Sequence, residues 1–112
     1  MTEKKQENLK ETVLDLKGLV TYQDGAVVSR MVVYQPAGTI TLFAFDQGEG
    51  LSEHTAPYDA IVTVIEGEAE IIIAGREFHL ATGQMIIMPA NVPHAVKAVQ
   101  RFKMMLTMIH SS

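Results

Sequence analysis

Short runs rich in Val, Ile, Thr and Phe alternate with polar breaks along the chain from Gly18 onward. Because β-branched and aromatic residues favour strands, and Gly, Pro, Asn and Asp favour turns, this rhythm is typical of an all-β domain. The predicted strands are residues 26–34, 39–45, 60–65, 69–74, 77–80, 84–88, 94–98 and 101–109. Eight short strands would leave unpaired edges in an open sheet, so the pattern predicts a barrel or a double-sheet jelly roll.

Glycines mark several of the breaks between these strands. Gly38, Gly67 and Gly75 each end or centre a short polar stretch between two apolar runs. We expect each of them to adopt a positive backbone φ in a tight turn, because glycine reaches that region without steric cost. The spacing therefore predicts hairpins.

The N-terminal segment has a different pattern. Residues 3–16 are rich in lysine and glutamate, with apolar residues only at scattered points. We expect residues 1–17 to form an arm outside the core, part helix or frayed, and residues 18–112 to form a single β-barrel domain.

Some strands are apolar on both faces, which exceeds what the interior of one small barrel requires. In the last predicted strand, alternate residues face opposite sides. One side carries Phe102, Met104, Leu106 and Met108, and the other carries Met105, Thr107 and Ile109. A homodimer in which an outer sheet face packs on its partner is the expected assembly, and a monomer with a thick core is the alternative.

Composition and charge exclude several classes of protein. The chain has 112 residues and a mass of 12.3 kDa, with 47% hydrophobic residues, which fits one globular domain. The apolar runs are far shorter than the ~20 residues that span a bilayer, and no signal peptide is evident, so we expect a cytoplasmic protein without a membrane span. A net charge of -4 without a basic cluster argues against nucleic acid as a partner. The lack of cysteine removes thiolate chemistry.

Two segments carry the residues that are candidates for a chemical function. Residues 48–67 read GEGLSEHTAPYDAIVTVIEG, and residues 83–94 read GQMIIMPANVPH. They resemble the two motifs of the cupin superfamily, G-x5-H-x-H-x(3,4)-E-x6-G and G-x5-P-x-G-x2-H-x3-N. The chain is therefore similar to a small single-domain cupin, and the resemblance implies a double-stranded β-helix, or jelly-roll, barrel.

The chain departs from this family pattern at the metal ligands. The family's motifs supply three His and one Glu to a divalent metal inside the barrel. Here His54 and His94 remain, whereas Ala56 and Ala60 occupy the positions of the second His and the Glu. Two imidazoles fall short of the three protein ligands that iron and zinc sites require, so a Zn, Fe, Mn or Ni ion held by His54 and His94 would be weakly bound.

Neighbouring carboxylates do not repair this deficit. Asp59 and Glu53 each lie one residue from a family ligand position, so regular strand alternation turns them to the opposite face. A bulge after Pro57 would be needed to re-aim Asp59. The family glycine of the second motif is Asn91, which we expect to accept a left-handed backbone.

The same histidines can act without a metal. His54 and His94, facing one cavity, are candidates to bind an anionic or carbonyl-bearing ligand or to serve as acid and base, with the Tyr58 hydroxyl at the cavity mouth. The alternative is that both are interior histidines satisfied by hydrogen bonds. We expect His79 and His110 at the surface.

Three classes of function remain open. The favoured hypothesis is a cupin that binds a small organic molecule in its barrel through His54 and His94. The second is a metal-dependent enzyme of the dioxygenase, isomerase or decarboxylase type. The third is a scaffold or interaction protein that uses its apolar outer sheet. Arg30 is either a solvent-facing residue or an anion ligand in the pocket.

Overall fold

A computed structural model describes residues 9–110 of the chain. Within this range the chain forms one 3₁₀ turn, Leu16–Leu19, followed by nine β-strands. The strands are β1 Val27–Gln35, β2 Gly38–Phe45, β3 Gly50–His54, β4 Asp59–Glu66, β5 Glu68–Ile73, β6 Arg76–Ala81, β7 Met85–Met88, β8 His94–Lys97 and β9 Phe102–Ile109. The prediction of an all-β domain is confirmed.

The strands form two antiparallel sheets that pack face to face. The five-stranded sheet has the order β1-β2-β9-β4-β7, and the four-stranded sheet has the order β3-β8-β5-β6. The buried core between them draws side chains from both sheets, including Val62 and Met104 from one and Ile71 and Val96 from the other. This arrangement is the two-sheet barrel that the strand pattern predicted.

Aromatic stacking fills one end of the core. Phe45 on β2 and Phe102 on β9 are paired in register, both fully buried, and their ring centroids lie 4.6 Å apart with nearly parallel planes. Such a pair contributes about 0.5–1.5 kcal/mol beyond the burial of its area. The stack therefore helps to fix β2 against β9.

The segment before β1 covers part of the outer face of the five-stranded sheet. Val20 is buried against Leu42 and Ala44, and Leu16 and Leu19 pack on the same cluster. The apolar contacts of the described chain with the sheet thus begin before residue 18. Residues 16–22 thus cover part of the apolar outer face of the five-stranded sheet.

The turns follow the glycine predictions with one exception. Gly67 and Gly75 have positive φ values of 82° and 81°. The expectation was wrong for Gly38, which opens β2 in ordinary strand geometry. A Cβ atom at Gly38 would lie 2.5 Å from the Met108 carbonyl oxygen, so its smallness allows close approach of β9.

The strand prediction missed β3, Gly50–His54, whose burial pattern shows one half-buried residue among exposed ones. This short edge strand lacks the β-branched run by which strands are recognised. Among residues 9–110, no helix has the length and apolar character needed to cross a membrane.

Candidate functional site

The two predicted histidines meet across neighbouring strands. His54 on β3 lies directly opposite His94 on β8, and their ring centroids are 4.5 Å apart with planes at 75°. His94 is buried, whereas His54 is exposed. The pair therefore connects the barrel interior to solvent.

A β-bulge turns His54 toward the barrel interior. Leu51 pairs with Val96 and His54 pairs with His94, so three residue steps on β3 match two on β8. In a regular strand, Leu51 and His54 would face opposite sides of the sheet. The extra residue places both on the core side, because a bulge reverses the alternation.

Both imidazoles are oriented by the backbone. Nδ1 of His54 lies 2.7 Å from the Ser52 carbonyl oxygen, and Nδ1 of His94 lies 3.1 Å from the Val92 carbonyl oxygen. A carbonyl oxygen only accepts hydrogen bonds, so each Nδ1 carries the hydrogen. In the neutral rings, each Nε2 then presents a lone pair.

The buried histidine resists protonation. Burial lowers the pKa of His94 below its ordinary value, and the charge of a protonated His54 lowers it further. The hydrogen bond to Val92 opposes this shift by favouring the charged ring. Near pH 7 His94 is therefore held in the neutral form.

At the same end of the barrel, the inner face of the five-stranded sheet forms an apolar wall. Ala60 on β4 lies between Met108 on β9 and Met88 on β7 in the sheet register. Only five residues lie between His54 and Ala60, and five lie between Met88 and His94, so short connections bring this end of both sheets together. Ala60 is 1% exposed. Its methyl side chain provides no polar atom at the position of the family's carboxylate.

The residues present do not fit the divalent metal site that the motif resemblance implies. In residues 9–110, no group of three or more His, Cys, Asp or Glu side chains could hold a metal ion. Ala56 and Ala60 supply no donor atom, and two imidazoles alone do not complete a catalytic site. No chemical step through a metal is therefore derived for this site.

The nearby carboxylates point elsewhere. Asp59 pairs with Ile109 on the outer side of the sheet, and its Oδ1 accepts a hydrogen bond of 2.9 Å from the Ala90 backbone N–H. Glu53 is exposed. The expectation that strand alternation directs Asp59 away from the histidines agrees with this geometry.

A backbone hydrogen bond connects the loop after β3 with the loop before β8. Asn91 has the positive φ expected of it, 64°, and its N–H donates a hydrogen bond of 2.7 Å to the Ala56 carbonyl oxygen. Asparagine tolerates this left-handed conformation better than other residues with a side chain. The contact fixes the connection after His54 against the one before His94.

Tyr58 stacks on a histidine that sequence reasoning placed at the surface. The rings of Tyr58 and His110 have centroids 4.1 Å apart and planes at 29°. His110 is half-buried and keeps part of its surface exposed, and the stack covers the rest in part. Ala60 and Met108 are paired in register. Tyr58 lies two residues before Ala60, and His110 lies two residues after Met108. Only the pairing of β4 with β9 brings the two rings together.

The remaining polar candidates lie outside the barrel interior. Arg30 pairs with Leu42, whose side chain belongs to the outer cluster, so Arg30 does not face the histidine pair. His79 is exposed as expected, and its Nε2 lies 2.9 Å from Oε1 of Glu68. The site is thus limited to His54, His94 and the apolar wall, with the Tyr58–His110 stack beside it.

A protein-family comparison decides which family this barrel belongs to. The model of the cupin domain, Cupin_2, matches residues 41–110, which include both motif segments and every strand except β1 and the beginning of β2. The chain is a cupin. The prediction of a cupin barrel with the double-stranded β-helix fold is confirmed.

Solved structures support the assignment of this cupin. A conserved protein of unknown function from Streptococcus pyogenes is 38% identical, with 91% of this chain and 90% of that chain covered and a TM-score of 0.85. A cupin superfamily protein from Desulfitobacterium hafniense is 27% identical, with 91% and 94% covered and a TM-score of 0.85.

A second similar cupin comes from a longer chain. A cupin 2 conserved barrel domain protein from Leptotrichia buccalis is 39% identical, with a TM-score of 0.83; the alignment covers 86% of this chain but 47% of that chain. A search of curated proteins found no match. The comparisons therefore define the family and the fold of this cupin, and function must be argued from its site.

Proposed function

We propose that this cupin binds a small organic molecule between its two sheets, with His54 and His94 as polar anchors. The observation that carries the proposal is the orientation of the two rings, each held through Nδ1 by a backbone carbonyl oxygen. Pre-oriented polar groups in a mostly apolar cavity are the usual features of a small-molecule site.

The tautomer determines which ligand group the histidines accept. With the hydrogen on Nδ1, each neutral ring offers Nε2 as a hydrogen-bond acceptor. The group that binds there is therefore a donor, such as a hydroxyl or an N–H. The sequence analysis expected an anionic or carbonyl-bearing ligand, and the proposed donor ligand differs from it because each Nδ1–H already faces a backbone carbonyl oxygen.

The apolar wall defines the rest of the ligand. Met88, Ala60 and Met108 form a continuous row on the inner face of the five-stranded sheet. Thioether side chains adapt to irregular apolar shapes. The expected ligand is a compact, largely apolar molecule with one or two hydrogen-bond donors, and the Tyr58 hydroxyl is a further contact at the entrance.

The experiment compares two probes of matched shape and opposite polarity. NMR spectra of the protein with ¹⁵N-labelled histidine are recorded at pH 8 with benzyl alcohol and with benzoate. The proposal predicts Nδ1–H signals for both rings, and shifts of the His54 and His94 signals with the alcohol but not with the carboxylate.

Variants separate the site from non-specific binding. His94→Ala is expected to abolish the shifts of His54, whereas His79→Ala, which changes an exposed histidine on the outer face, is expected to leave them intact. An Nε2–H tautomer, or equal responses to both probes, would contradict the proposed ligand chemistry.

A further inference from the structure

Each sheet ends in two edge strands, which pair on one side only among residues 9–110. The edges are β1 and β7 in the five-stranded sheet and β3 and β6 in the four-stranded sheet. Proteins protect such edges with bulges or charged side chains, because an unprotected edge pairs with other chains. β1 and β3 each contain a bulge, and β6 carries Arg76 and Glu77. By contrast, β7 reads MIIM and pairs with β4 without a register shift.

The free edge of β7 presents the backbone groups of Met85 and Ile87. The Val64 N–H donates a hydrogen bond of 2.9 Å to the Gln84 carbonyl oxygen. In an antiparallel ladder, hydrogen-bonded pairs recur at every second residue. Val62 pairs with Ile86 and Ala60 pairs with Met88, so these two residues of β7 direct their backbone groups at β4. The N–H and C=O groups of Met85 and Ile87 therefore point away from the sheet, at the spacing of a strand.

A cleft lies beside this edge, at the corner where the chain passes from β6 in one sheet to β7 in the other. Its volume is about 430 Å³, and its lining consists of Phe78, His79, Leu80, Gln84, Met85 and Ile86. Phe78 and Ile86 are half-buried and pack on the core between the sheets. Met85 and Ile87 point to the outer side and are 56% and 53% exposed. A strand added to β7 would therefore meet apolar side chains on both of its faces.

The corner that carries the edge is held by hydrogen bonds on both sides. The Ala81 N–H donates to the Gln84 side-chain oxygen at 2.8 Å, and the Gly83 N–H donates to the Val64 carbonyl oxygen at 2.8 Å. The Gln84 N–H donates in turn to the Ala81 carbonyl oxygen at 3.0 Å. Because the free protein already fixes β7 in strand geometry, a partner that binds to it pays little to order this side of the contact.

We propose that the free edge of β7 binds an extended peptide segment of another protein by strand addition. Alternating N–H and C=O groups at strand spacing are complementary to a second extended backbone, whereas a lipid or a small organic molecule does not repeat this pattern. The apolar surroundings on both faces favour a short run of β-branched residues in that segment. This surface is separate from the His54–His94 pair, so the inference does not depend on the proposed ligand of that site.

The first test uses a synthetic peptide, acetyl-KTVIVTK-amide, on the wild-type protein. Its lysines keep it soluble, and its centre supplies three β-branched residues. Amide hydrogen exchange is followed by NMR with and without about 1 mM peptide. In the free protein, the amides of Met85 and Ile87 are expected to exchange faster than those of Ile86 and Met88. The peptide is expected to slow exchange at Met85 and Ile87 at least about tenfold, because their N–H groups then donate to its carbonyl oxygens.

Controls separate strand addition from apolar adhesion. The same peptide with N-methyl groups on its three central residues keeps its apolar character but loses the central donors, and it is expected not to bind. Ile87→Pro removes an N–H that points away from β4, a substitution that edge strands tolerate, and is expected to abolish binding. Ile109→Lys is the matched control, because Ile109 is 44% exposed but lies on β9, which is paired on both sides. This variant is expected to bind the peptide as the wild type does.

Distinct results overturn the proposal. Unchanged exchange at Met85 and Ile87 in the presence of the peptide contradicts it, and so does equal binding of the N-methylated peptide. Both of these measurements use the wild-type protein, so they stand even where Ile87→Pro does not fold. Binding that Ile109→Lys abolishes would assign the contact to the outer face instead of the edge. Slow exchange of Met85 and Ile87 in the free protein, together with a doubled mass, would identify a second copy of the chain as the occupant and would also contradict the proposal.

Discussion

Lys103 joins the last strand to the segment that precedes the first. It is 8% exposed, and its Nζ donates a hydrogen bond of 2.7 Å to the Lys17 carbonyl oxygen. The same ammonium group lies 4.9 Å from the centroid of the Tyr22 ring. A buried cation is thus satisfied by a carbonyl dipole and an aromatic face, which fixes residues 16–22 on the sheet.

Removing this cation should release the covering segment. Lys103→Met keeps most of the side-chain volume but leaves the Lys17 carbonyl oxygen without its donor, and we expect a loss of about 1–2 kcal/mol in unfolding free energy. Hydrogen exchange of residues 16–22 is expected to accelerate. Lys97→Met, at an exposed position on β8, is the control and should change neither quantity.

Acidification should destabilise the protein through His94. Since burial and His54 lower its folded-state pKa, the unfolded chain binds the proton first as the pH falls through the ordinary value of ~6.5. The stabilisation is complete above that pH and is lost as the pH falls toward the folded pKa. Denaturant titrations between pH 8 and pH 5 measure this slope.

Two variants assign the slope to the histidine pair. His94→Gln is expected to flatten the dependence of unfolding free energy on pH. His54→Gln removes one cause of the depressed pKa and should reduce the slope in part. A His94→Gln protein with the wild-type slope would assign the acid sensitivity to other groups.

Gly67 and Gly75 have the same backbone conformation but different surroundings, so alanine substitutions at the two positions distinguish backbone strain from a steric clash. Gly67 and Gly75 have φ values of 82° and 81°, but a Cβ atom at Gly67 would lie 2.7 Å from the Arg101 carbonyl oxygen, whereas nothing lies within 4 Å of one at Gly75. Gly75→Ala should cost about 1–2 kcal/mol, the penalty for a left-handed residue with a side chain.

Gly67→Ala should cost more, because the main chain of β9 must also move. Equilibrium unfolding of both variants measures the difference. Equal losses in unfolding free energy at the two positions would show that the contact with Arg101 relaxes freely.

Restoring the missing donors should create a metal site. The double substitution Ala56→His and Ala60→Glu supplies the family's ligand set beside His54 and His94, and we expect it to retain zinc or nickel at one equivalent per chain after gel filtration. The wild-type protein, with two imidazoles, should lose the same ions. Because Ala60 is enclosed by Met88 and Met108, the metal-free variant should melt at a lower temperature and recover with metal.

The measurement is elemental analysis before and after chelation. Stoichiometric iron, manganese, zinc or nickel that survives chelation in the wild-type protein would contradict this prediction and favour the metal-dependent enzyme.

The sequence determined the fold class and the identity of the two central candidate residues. Alternating β-branched runs specify strands because each strand must bury one face, and the resemblance to the two cupin motifs singled out His54 and His94. The lack of metal ligands at Ala56 and Ala60 could also be predicted, since a side chain without a donor atom cannot bind a metal. These properties depend on residue type and local spacing.

Only the tertiary structure decided how these residues meet. The bulge that turns His54 inward has no local signal, because it exists only relative to β8. The stack of Tyr58 on His110 depends on the pairing of β4 with β9. Strand pairing joins residues that are distant in the chain, so no pattern within one segment reveals it.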